Sequence, residues 1–218
     1  MSILCELRIC TNIEGVGLFK RGQLENNSVR INQYINGLKK FFELNSHYID
    51  NNLLSVYLTD NTVSDKCELD KSILNVLHPK CEIITCINNK YGCNNKGAGD
   101  IEQWIYNKNL INKYKWFIHF EPRQLLKSNK FIDSFLENPI NLFTMGTSMR
   151  HFNTGLCCIK CKVLFDFINE YTPEKLVYNN LGIEYAIYNF IINNNIDYKI
   201  IDKMDLIWFP TNPQPINM

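Results

Sequence analysis

The sequence predicts a single-domain α/β fold with a mostly parallel sheet flanked by helices on both faces. Strand-like and helix-like segments alternate along the chain, and strand-like segments such as 115–120 and 154–160 are apolar almost throughout. Continuously apolar strands are typical of parallel sheets that helices cover on both sides. The 218 residues contain no Pro/Gly/Ser-rich linker and no internal repeat. We therefore expect one domain over 1–218, with a core over about 3–202 and an irregular tail over 203–218.

Each element is predicted from local periodicity or from a cap. The clearest helix starts at the N-cap Ser28, because apolar residues then recur with spacings of three and four from Ile31 to Phe42. A pair that resembles a capping box, Asp100 and Gln103, predicts a second helix that runs to about 112. The other helices are expected at 70–77, 130–137, 161–170 and 181–193. The strands are expected at 3–10, 53–60, 81–87, 115–120, 140–145, 154–160 and 197–202.

Composition and charge narrow the class of protein. The formal net charge of +1 gives no reason to expect a nucleic-acid partner or an anionic membrane surface. No apolar run is long enough to span a bilayer, and the N-terminal segment is typical of a first strand and not of a signal peptide. The nine cysteines lack the spacing of a disulfide framework or a zinc site. This favours reduced thiols and a cytoplasmic location, in the host's cytoplasm if the source is a virus.

Polar residues follow nearly every predicted strand. In α/β sheets ligands bind beyond the carboxyl ends of the strands, so these residues are expected to meet in one cleft. Each group alone also has the composition of an ordinary turn, so the prediction depends on their convergence. The groups are Thr11 with Asn12, Asp60 with Asn61 and Thr62, the loop 88–100 from Asn88, Glu121 with Pro122 and Arg123, and the segment 145–155.

The loop 88–100, NNKYGCNNKGAGD, carries three glycines and Lys96 ahead of a helix. Its spacing matches neither the phosphate loop of ATPases nor the glycine fingerprint of dinucleotide-binding enzymes, which disfavours both classes. The loop could cradle a phosphate through backbone N–H groups, the helix dipole and Lys96. It could equally be a surface loop, and the sequence leaves both interpretations open.

The order of these motifs resembles that of GT-A-type glycosyltransferases, Rossmann-like enzymes, and is similar to the family-2-like members that build surface polysaccharides. The resemblance covers about residues 3–200. It is carried in order by "RICTN", "VYLTDNT", "NNKYGCNNKGAG", "WFIHFEPR", "FNTGLCCIK" and "LGIEYAIYNFI".

The resemblance implies an enzyme that moves a sugar from a nucleotide-sugar donor to a glycan or another hydroxyl acceptor, with inversion. It places Asp60 against the nucleotide base and makes Glu184 the catalytic base, while Arg123 would stabilise the departing diphosphate. The remaining donor-binding residues would be Thr11, Asn12, Asn61, Asn88, Lys96 and Glu121. Acceptor binding is expected at His151, Asn153 and Trp208.

One motif departs from the family pattern. Where these enzymes carry a D-x-D that holds Mg²⁺ or Mn²⁺, this chain has Glu121-Pro122-Arg123. Glu121 remains as the carboxylate that could contact a metal, while a guanidinium suits a diphosphate and not a cation. We hypothesise that Arg123 partly replaces the metal. The alternative is that Glu121 and Arg123 merely pair with each other.

Two other functions stay open at this point. Sugar nucleotidyltransferases share the broad fold and carry a glycine-rich N-terminal phosphate loop, which "EGVGLFKRGQ" at 14–23 loosely resembles. A transferase-like protein that binds a glycan or a partner without turnover would also fit the altered D-x-D.

Overall fold

The computed structural model describes residues 2–13, 27–146, 150–208 and 216–217. The strands are β1 Ile3–Ile9, β2 Ser55–Asp60, β3 Thr62–Val63, β4 Glu82–Ile87, β5 Trp116–Phe120, β6 Leu125–Leu126, β7 Asn141–Met145, β8 Phe152–Lys160, β9 Tyr198–Ile200, β10 Leu206–Trp208 and β11 Ile216–Asn217. The helices are α1 Asn27–Asp50, α2 Lys71–Leu74, α3 Lys96–Tyr106, α4 Lys108–Ile111, α5 Lys130–Glu137, α6 Cys161–Glu170, α7 Pro173–Tyr178 and α8 Ile183–Asn193. In the described part of the chain, no helix combines the length and the apolar character needed to cross a membrane.

The central sheet has eight strands in the order β3-β4-β2-β1-β5-β8-β7-β9. β1 pairs in parallel with β2 and β5, β2 pairs in parallel with β4, and β7 with β9. β8 lies antiparallel between β5 and β7, and β3 is antiparallel to β4. The other six strands therefore run in one direction, which confirms the predicted mostly parallel α/β sheet.

Helices cover both faces of this sheet, and successive side chains of β1 enter different cores. Leu7 belongs to a core that also contains Phe41 of α1 and residues of α5. Leu4 belongs to a second core, on the opposite face, with Trp104 of α3 and residues of α6 and α8. Because both faces are covered, all seven residues of β1 are buried, as the apolar strands of the sequence predict.

The start of α3 differs from the prediction. The helix begins at Lys96 with Asn95 as its N-cap, whose Oδ1 accepts a hydrogen bond from the Ala98 N–H at 3.2 Å. Asp100, the predicted cap, is a buried residue inside the helix. The Asp100 side chain faces the sheet, where it pairs with Arg8 of β1. Asn95 lies at the end of the helix and caps it.

Part of the segment expected to be an irregular tail is ordered. β10 pairs antiparallel with β6 and with β11, and together they form a small second sheet. Met204 and Leu206 are buried in the same core as Leu7. The proline-rich stretch 209–215 lies outside the described residues.

Candidate active site

Two chambers open at the carboxyl edge of the parallel strands. The first is lined by Arg8 near the end of β1 and by Arg30 and Tyr34 of α1; we call it the arginine chamber. The second is lined by Glu184 at the start of α8; we call it the Glu184 chamber. Three residues line both chambers and form a shared wall: Lys96, Asp100 and Glu121.

Glu121 is the acid of the shared wall, and cations surround it. The Lys96 Nζ donates to Glu121 Oε1 at 2.9 Å and to Oε2 at 3.2 Å. Burial alone would raise the pKa of Glu121, but the positive charges of Lys96, Arg123 and His119 outweigh it and hold the pKa well below its usual range. Glu121 is therefore ionised near neutral pH, and both of its oxygens receive the ammonium of Lys96.

Arg123 lies beside Glu121 but outside the lining of both chambers. Its side chain is buried, with 6% of its surface exposed, and its Nη1 has no hydrogen-bond partner among the described residues. Its charge reaches the cleft through Glu121, whose pKa it helps to lower. Direct contact between Arg123 and a diphosphate stays a prediction.

Asp60 closes the turn between β2 and β3 and is 1% exposed. Its Oδ2 accepts from the Thr11 N–H at 3.0 Å and from the Thr11 hydroxyl at 2.6 Å. Its Oδ1 accepts from the backbone N–H of Thr62 at 2.8 Å, and the Thr62 Oγ1 in turn accepts from the Asn12 N–H at 2.9 Å. The acid thus ties the exit of β1 to that of β2, and contact with a nucleotide base would need one of these bonds to open.

Asn61 joins this turn to the loop that follows β4. Its Nδ2 donates to the Asn88 carbonyl at 3.0 Å and to Asn89 Oδ1 at 2.9 Å. Further along the loop, the backbone N–H groups of Tyr91 and Gly92 donate to the Glu102 carboxylate, each at 3.0 Å. The chain itself therefore satisfies these loop amides, and a phosphate cradle would have to use the first turn of α3 instead.

The first turns of α3 and α8 are packed directly together. A Cβ on Gly97 would lie 2.5 Å from the Cβ of Ile183, so only glycine permits this approach. Asn95 Nδ2 also donates to the Leu181 carbonyl at 2.9 Å. These contacts place Glu184 in the same chamber as Lys96.

The Glu184 carboxylate is the acid of the cleft that keeps its acceptor capacity. The side chain is half-buried, and no hydrogen bond or ion pair joins it to any other described residue. Asp60 and Glu121 are each engaged by donors of the chain. Within the described chain, Glu184 is thus the candidate for accepting a proton from a bound molecule.

A second acid of the shared wall, Asp100, is paired with a buried arginine. The Arg8 Nε lies 3.4 Å from Asp100 Oδ1, and both side chains are less than 10% exposed. Burial raises the pKa of Asp100 to about 6, although the charge of Arg8 opposes the shift. The charge of this wall therefore changes in weakly acidic solution.

Beneath the cleft lies a buried network centred on Glu6 of β1. Glu6 Oε2 lies 2.6 Å from His119 Nδ1 and accepts from Trp104 Nε1 at 2.9 Å, while Oε1 accepts from the Tyr57 hydroxyl at 2.8 Å. Burial alone would lower the pKa of His119, but the Glu6 carboxylate outweighs it and the net pKa is raised. His119 is 1% exposed, so this network is buried and stabilises the strands under the cleft.

Two predicted acceptor-binding residues, His151 and Asn153, are not among the described residues that line the two chambers. The His151 ring packs against Tyr185 at a centroid distance of 4.9 Å and over Gly146, where a Cβ would clash with it. Asn153 Oδ1 accepts from the Gly155 N–H at 3.0 Å. The side chain of Trp208 lies outside the described residues, so acceptor binding at these three positions stays a prediction.

The residues of the cleft do not fit a divalent metal. Among the described residues, no three His, Cys, Asp or Glu side chains are grouped so that they could share an ion. Glu121, the carboxylate for which the sequence resemblance predicts metal contact, already receives Lys96 and is acted on by the charge of Arg123. A hard dication needs oxygen ligands and would meet two positive charges there.

The sequence pattern points to residues that follow strands, so it does not predict the charged and aromatic side chains that come from inside an element. Arg8 lies inside β1, and Arg30 and Tyr34 lie in α1. A signal was present for one of them: Glu6 and Arg8 interrupt an otherwise apolar strand, and a buried charge needs a partner.

No protein-family model matches the chain, and no curated protein sequence matches it significantly. A solved structure of a candidate nucleotide-diphospho-sugar transferase from Desulfovibrio desulfuricans G20 matches with a TM-score of 0.56 and 8% identity, over 93% of this chain and 80% of that one. A cytidylyltransferase from Leptospira borgpetersenii has a TM-score of 0.49 and 10% identity, over 100% of this chain and 81% of that one. Mouse xyloside xylosyltransferase 1 has a TM-score of 0.48 and 9% identity, over 92% and 84%.

The likeness to the first of these structures shows the fold and nothing finer. The chain has the GT-A-like α/β fold of nucleotide-sugar transferases, as its motif order predicts. The other two likenesses are too distant to support an argument.

Proposed function

We propose that the protein is a glycosyltransferase that moves a sugar from a nucleotide-sugar donor to a hydroxyl acceptor with inversion. The observation that carries the proposal is the pair of chambers on the carboxyl edge of the sheet. One is lined by arginines and the other by the carboxylate of Glu184, and they share the wall of Lys96 and Glu121. A diphosphate and a hydroxyl could therefore be bound on the two sides of a reacting sugar.

The proposed chemistry needs a base and a stabilised leaving group. The Glu184 carboxylate would take the proton of the acceptor hydroxyl while that oxygen attacks the anomeric carbon. The bond from this carbon to the diphosphate oxygen breaks, and the leaving nucleoside diphosphate carries away the bonding electrons. Positive side chains that are already held in place would stabilise this charge without reorganisation. Since the donor set does not fit a divalent cation, no step depends on one.

The other donor-binding residues support the proposal by their placement. Asp60 and Asn61 fix the turn beside β1, and Thr11 and Asn12 are fastened to this turn by hydrogen bonds. Asn88 continues the same edge at the exit of β4, where its Nδ2 donates to the Glu102 carbonyl at 3.0 Å. They would shape the base and ribose end of the donor site. The proposal also includes three expectations from the sequence: a glycan acceptor, a role in polysaccharide synthesis and a cytoplasmic location.

Donor binding is the first test. Melting of the full chain is followed with UDP-, GDP-, dTDP- and CMP-sugars, each with EDTA and with Mn²⁺. A ligand at a hundredfold excess over its dissociation constant stabilises by about 2.7 kcal/mol, which corresponds to about 5–10 °C for a chain of this size. We expect one nucleotide class to give such a shift; no shift with any class would overturn the proposal.

Product analysis separates the competing functions. The donor that binds is incubated with hydroxyl acceptors, and release of nucleoside diphosphate together with a new glycoside is expected. Pyrophosphate release from a nucleoside triphosphate and a sugar 1-phosphate would instead show a nucleotidyltransferase. Tight donor binding with neither reaction would favour a binding protein that lacks turnover.

A further inference from the structure

Arg30 of α1 is a buried cation without a carboxylate partner among the described residues. Only 5% of its surface is exposed, and it lines the arginine chamber. Its Nη2 donates to the Tyr34 hydroxyl at 2.8 Å, and its Nε has no partner. A charge removed from water is costly unless an opposite charge or several hydrogen bonds compensate for it. Among the described residues, no carboxylate forms an ion pair with the Arg30 guanidinium, although the charge of Glu121 acts on it from a distance.

The two acids among the described lining residues are paired with cations other than Arg30. Glu121 receives Lys96 at 2.9 Å, and Asp100 lies 3.4 Å from Arg8. The described residues of the lining thus include three cations and two carboxylates, and Arg30 is the cation of this set that forms no ion pair. Arg8 also keeps its Nη1 without a hydrogen-bond partner among the described residues.

Tyr34 holds Arg30 at the sheet edge. Its hydroxyl accepts from Arg30 Nη2 and, at 3.1 Å, from the backbone N–H of Cys10 just after β1. The Arg30 guanidinium also lies over the Tyr34 ring, 5.6 Å from its centroid. The arginine is therefore positioned before any ligand arrives, and the hydroxyl proton of Tyr34 remains to be donated.

We propose that Arg30, with Arg8 and Lys96 beside it, binds the diphosphate of the donor directly and without a metal ion, and that Tyr34 positions it. The proposal rests on the proposed function and names the residues that receive the leaving group. A guanidinium binds phosphate oxygens through two parallel hydrogen bonds, which suits a site that lacks oxygen ligands for a cation. It differs from the sequence-based expectation, which gives this role to Arg123.

The test measures diphosphate binding apart from sugar transfer. Inorganic pyrophosphate and a panel of nucleoside diphosphates are titrated calorimetrically into the full chain in excess EDTA. We expect wild type to bind, and Arg30→Gln to bind at least about tenfold more weakly, as the loss of a charge-assisted hydrogen bond implies. Arg30→Lys, which keeps the charge without the planar fork, is expected to fall between the two. Lys39→Gln, an exposed cation on the same helix, is the matched control and should bind like wild type.

Folding of the variants is checked by their melting temperature without ligand. Removing an uncompensated buried charge is expected to leave this temperature unchanged or to raise it, so Arg30→Gln should remain folded. Tyr34→Phe keeps the ring and removes the hydroxyl, and it should weaken pyrophosphate binding by a smaller factor while binding of the nucleoside alone is unchanged.

Three results would overturn the proposal: binding that requires Mn²⁺ or Mg²⁺, equal affinity in wild type and Arg30→Gln, or a larger loss in Arg123→Gln than in Arg30→Gln. Failure of the proposed function gives a different pattern. In that case pyrophosphate binds through Arg30, but no nucleotide sugar stabilises the protein.

Discussion

At the scale of single residues, the cleft is organised by charges that the chain has already paired. Glu121 receives Lys96, Asp100 lies against Arg8, and Asp60 is held by two threonines. Such pairs fix the positions of these side chains, and for Asp60 and Glu121 they also occupy the carboxylate oxygens with donors of the chain. Among the described residues that line the two chambers, Glu184 is a carboxylate without a hydrogen-bond or ion-pair partner, and Arg30 is a buried cation without an ion pair.

Glu184→Gln tests the proposed base. The amide keeps the size of the side chain but cannot take the acceptor proton, so kcat for transfer should fall about 10²- to 10⁴-fold while donor affinity is retained. The matched control is Glu174→Gln, an exposed acid in the first turn of α7, which should leave kcat unchanged. Rates are compared with the donor found in the melting screen, and equal kcat for Glu184→Gln and wild type would exclude this role.

His119 gives a prediction for stability against pH. Its pKa is raised in the folded protein, since Glu6 outweighs the effect of burial, and in the unfolded chain it is about 6.5. The native state therefore holds a proton that the unfolded state releases above that value. This stabilisation is fully present below about pH 6.5 and is lost as pH rises through the folded pKa. Urea unfolding between pH 6 and 9 should show the decline, and His119→Asn should flatten it.

The sequence predicts residues of the cleft where they follow a strand, and it fails where the side chain comes from inside an element. Lys96 and Glu121 are predicted and do meet, because the carboxyl ends of parallel strands share one edge. Arg30 is missed, since a cation on an amphipathic helix usually faces solvent. Its position depends on its contact with Tyr34, which local periodicity does not report.

At the scale of elements, α1 packs closely against the segment that follows β5, and a glycine of α1 permits this contact. A Cβ on Gly37 would lie 1.8 Å from the Pro122 carbonyl oxygen, so the helix backbone rests directly on the 121–124 segment. This approach brings Arg30 and Tyr34 of one element beside Glu121 of another. The shape of the arginine chamber therefore depends on this contact.

Gly37→Ala should damage both stability and binding. The methyl group meets backbone and not a flexible side chain, so we expect a loss of about 1–3 kcal/mol in the free energy of unfolding. Diphosphate affinity should fall as well, because α1 must shift away from Glu121. Denaturant unfolding and calorimetry measure the two effects. Asn36→Ala, an exposed neighbour on the same helix, serves as the control, and an unchanged stability of Gly37→Ala would show that the contact is not tight.

The sequence predicts elements that show a hydrophobic periodicity over many residues or a continuous apolar run. It does not predict short elements or helix starts that depend on a cap. The predicted helix 130–137 and strand 115–120 agree with α5 and β5 to within a residue. The predicted start of α3 is wrong. Asp100 and Gln103 fit the pattern of a capping box as well as Asn95 fits that of an N-cap, and only tertiary contacts decide between the two starts. α7 is missed since its six residues are too few to show a period, although Thr172 and Pro173 form a recognisable start.

At the scale of the whole molecule, motif order predicts the fold better than any one motif does. Each polar turn is degenerate, yet together they follow β1, β2, β4 and β5, which are neighbours in the sheet order. Periodicity does not predict that β8 runs antiparallel between β5 and β7, because this strand is as apolar as the parallel ones. Strand direction there follows from the long-range connection and not from local sequence.

Residues 203–208 belong to the folded unit, and this leads to a last prediction. Leu206 of β10 is 0% exposed and lies in the core beneath α1, while the β6 strand that it pairs with follows directly from Glu121-Pro122-Arg123. Leu206→Ala should therefore cost about 2–5 kcal/mol in the free energy of unfolding and loosen the exit of β5. Lys203→Ala, an exposed neighbour, should cost less than about 0.5 kcal/mol. Urea unfolding of both variants measures the difference, and similar stabilities would mean that the segment is only an appendage to the sheet.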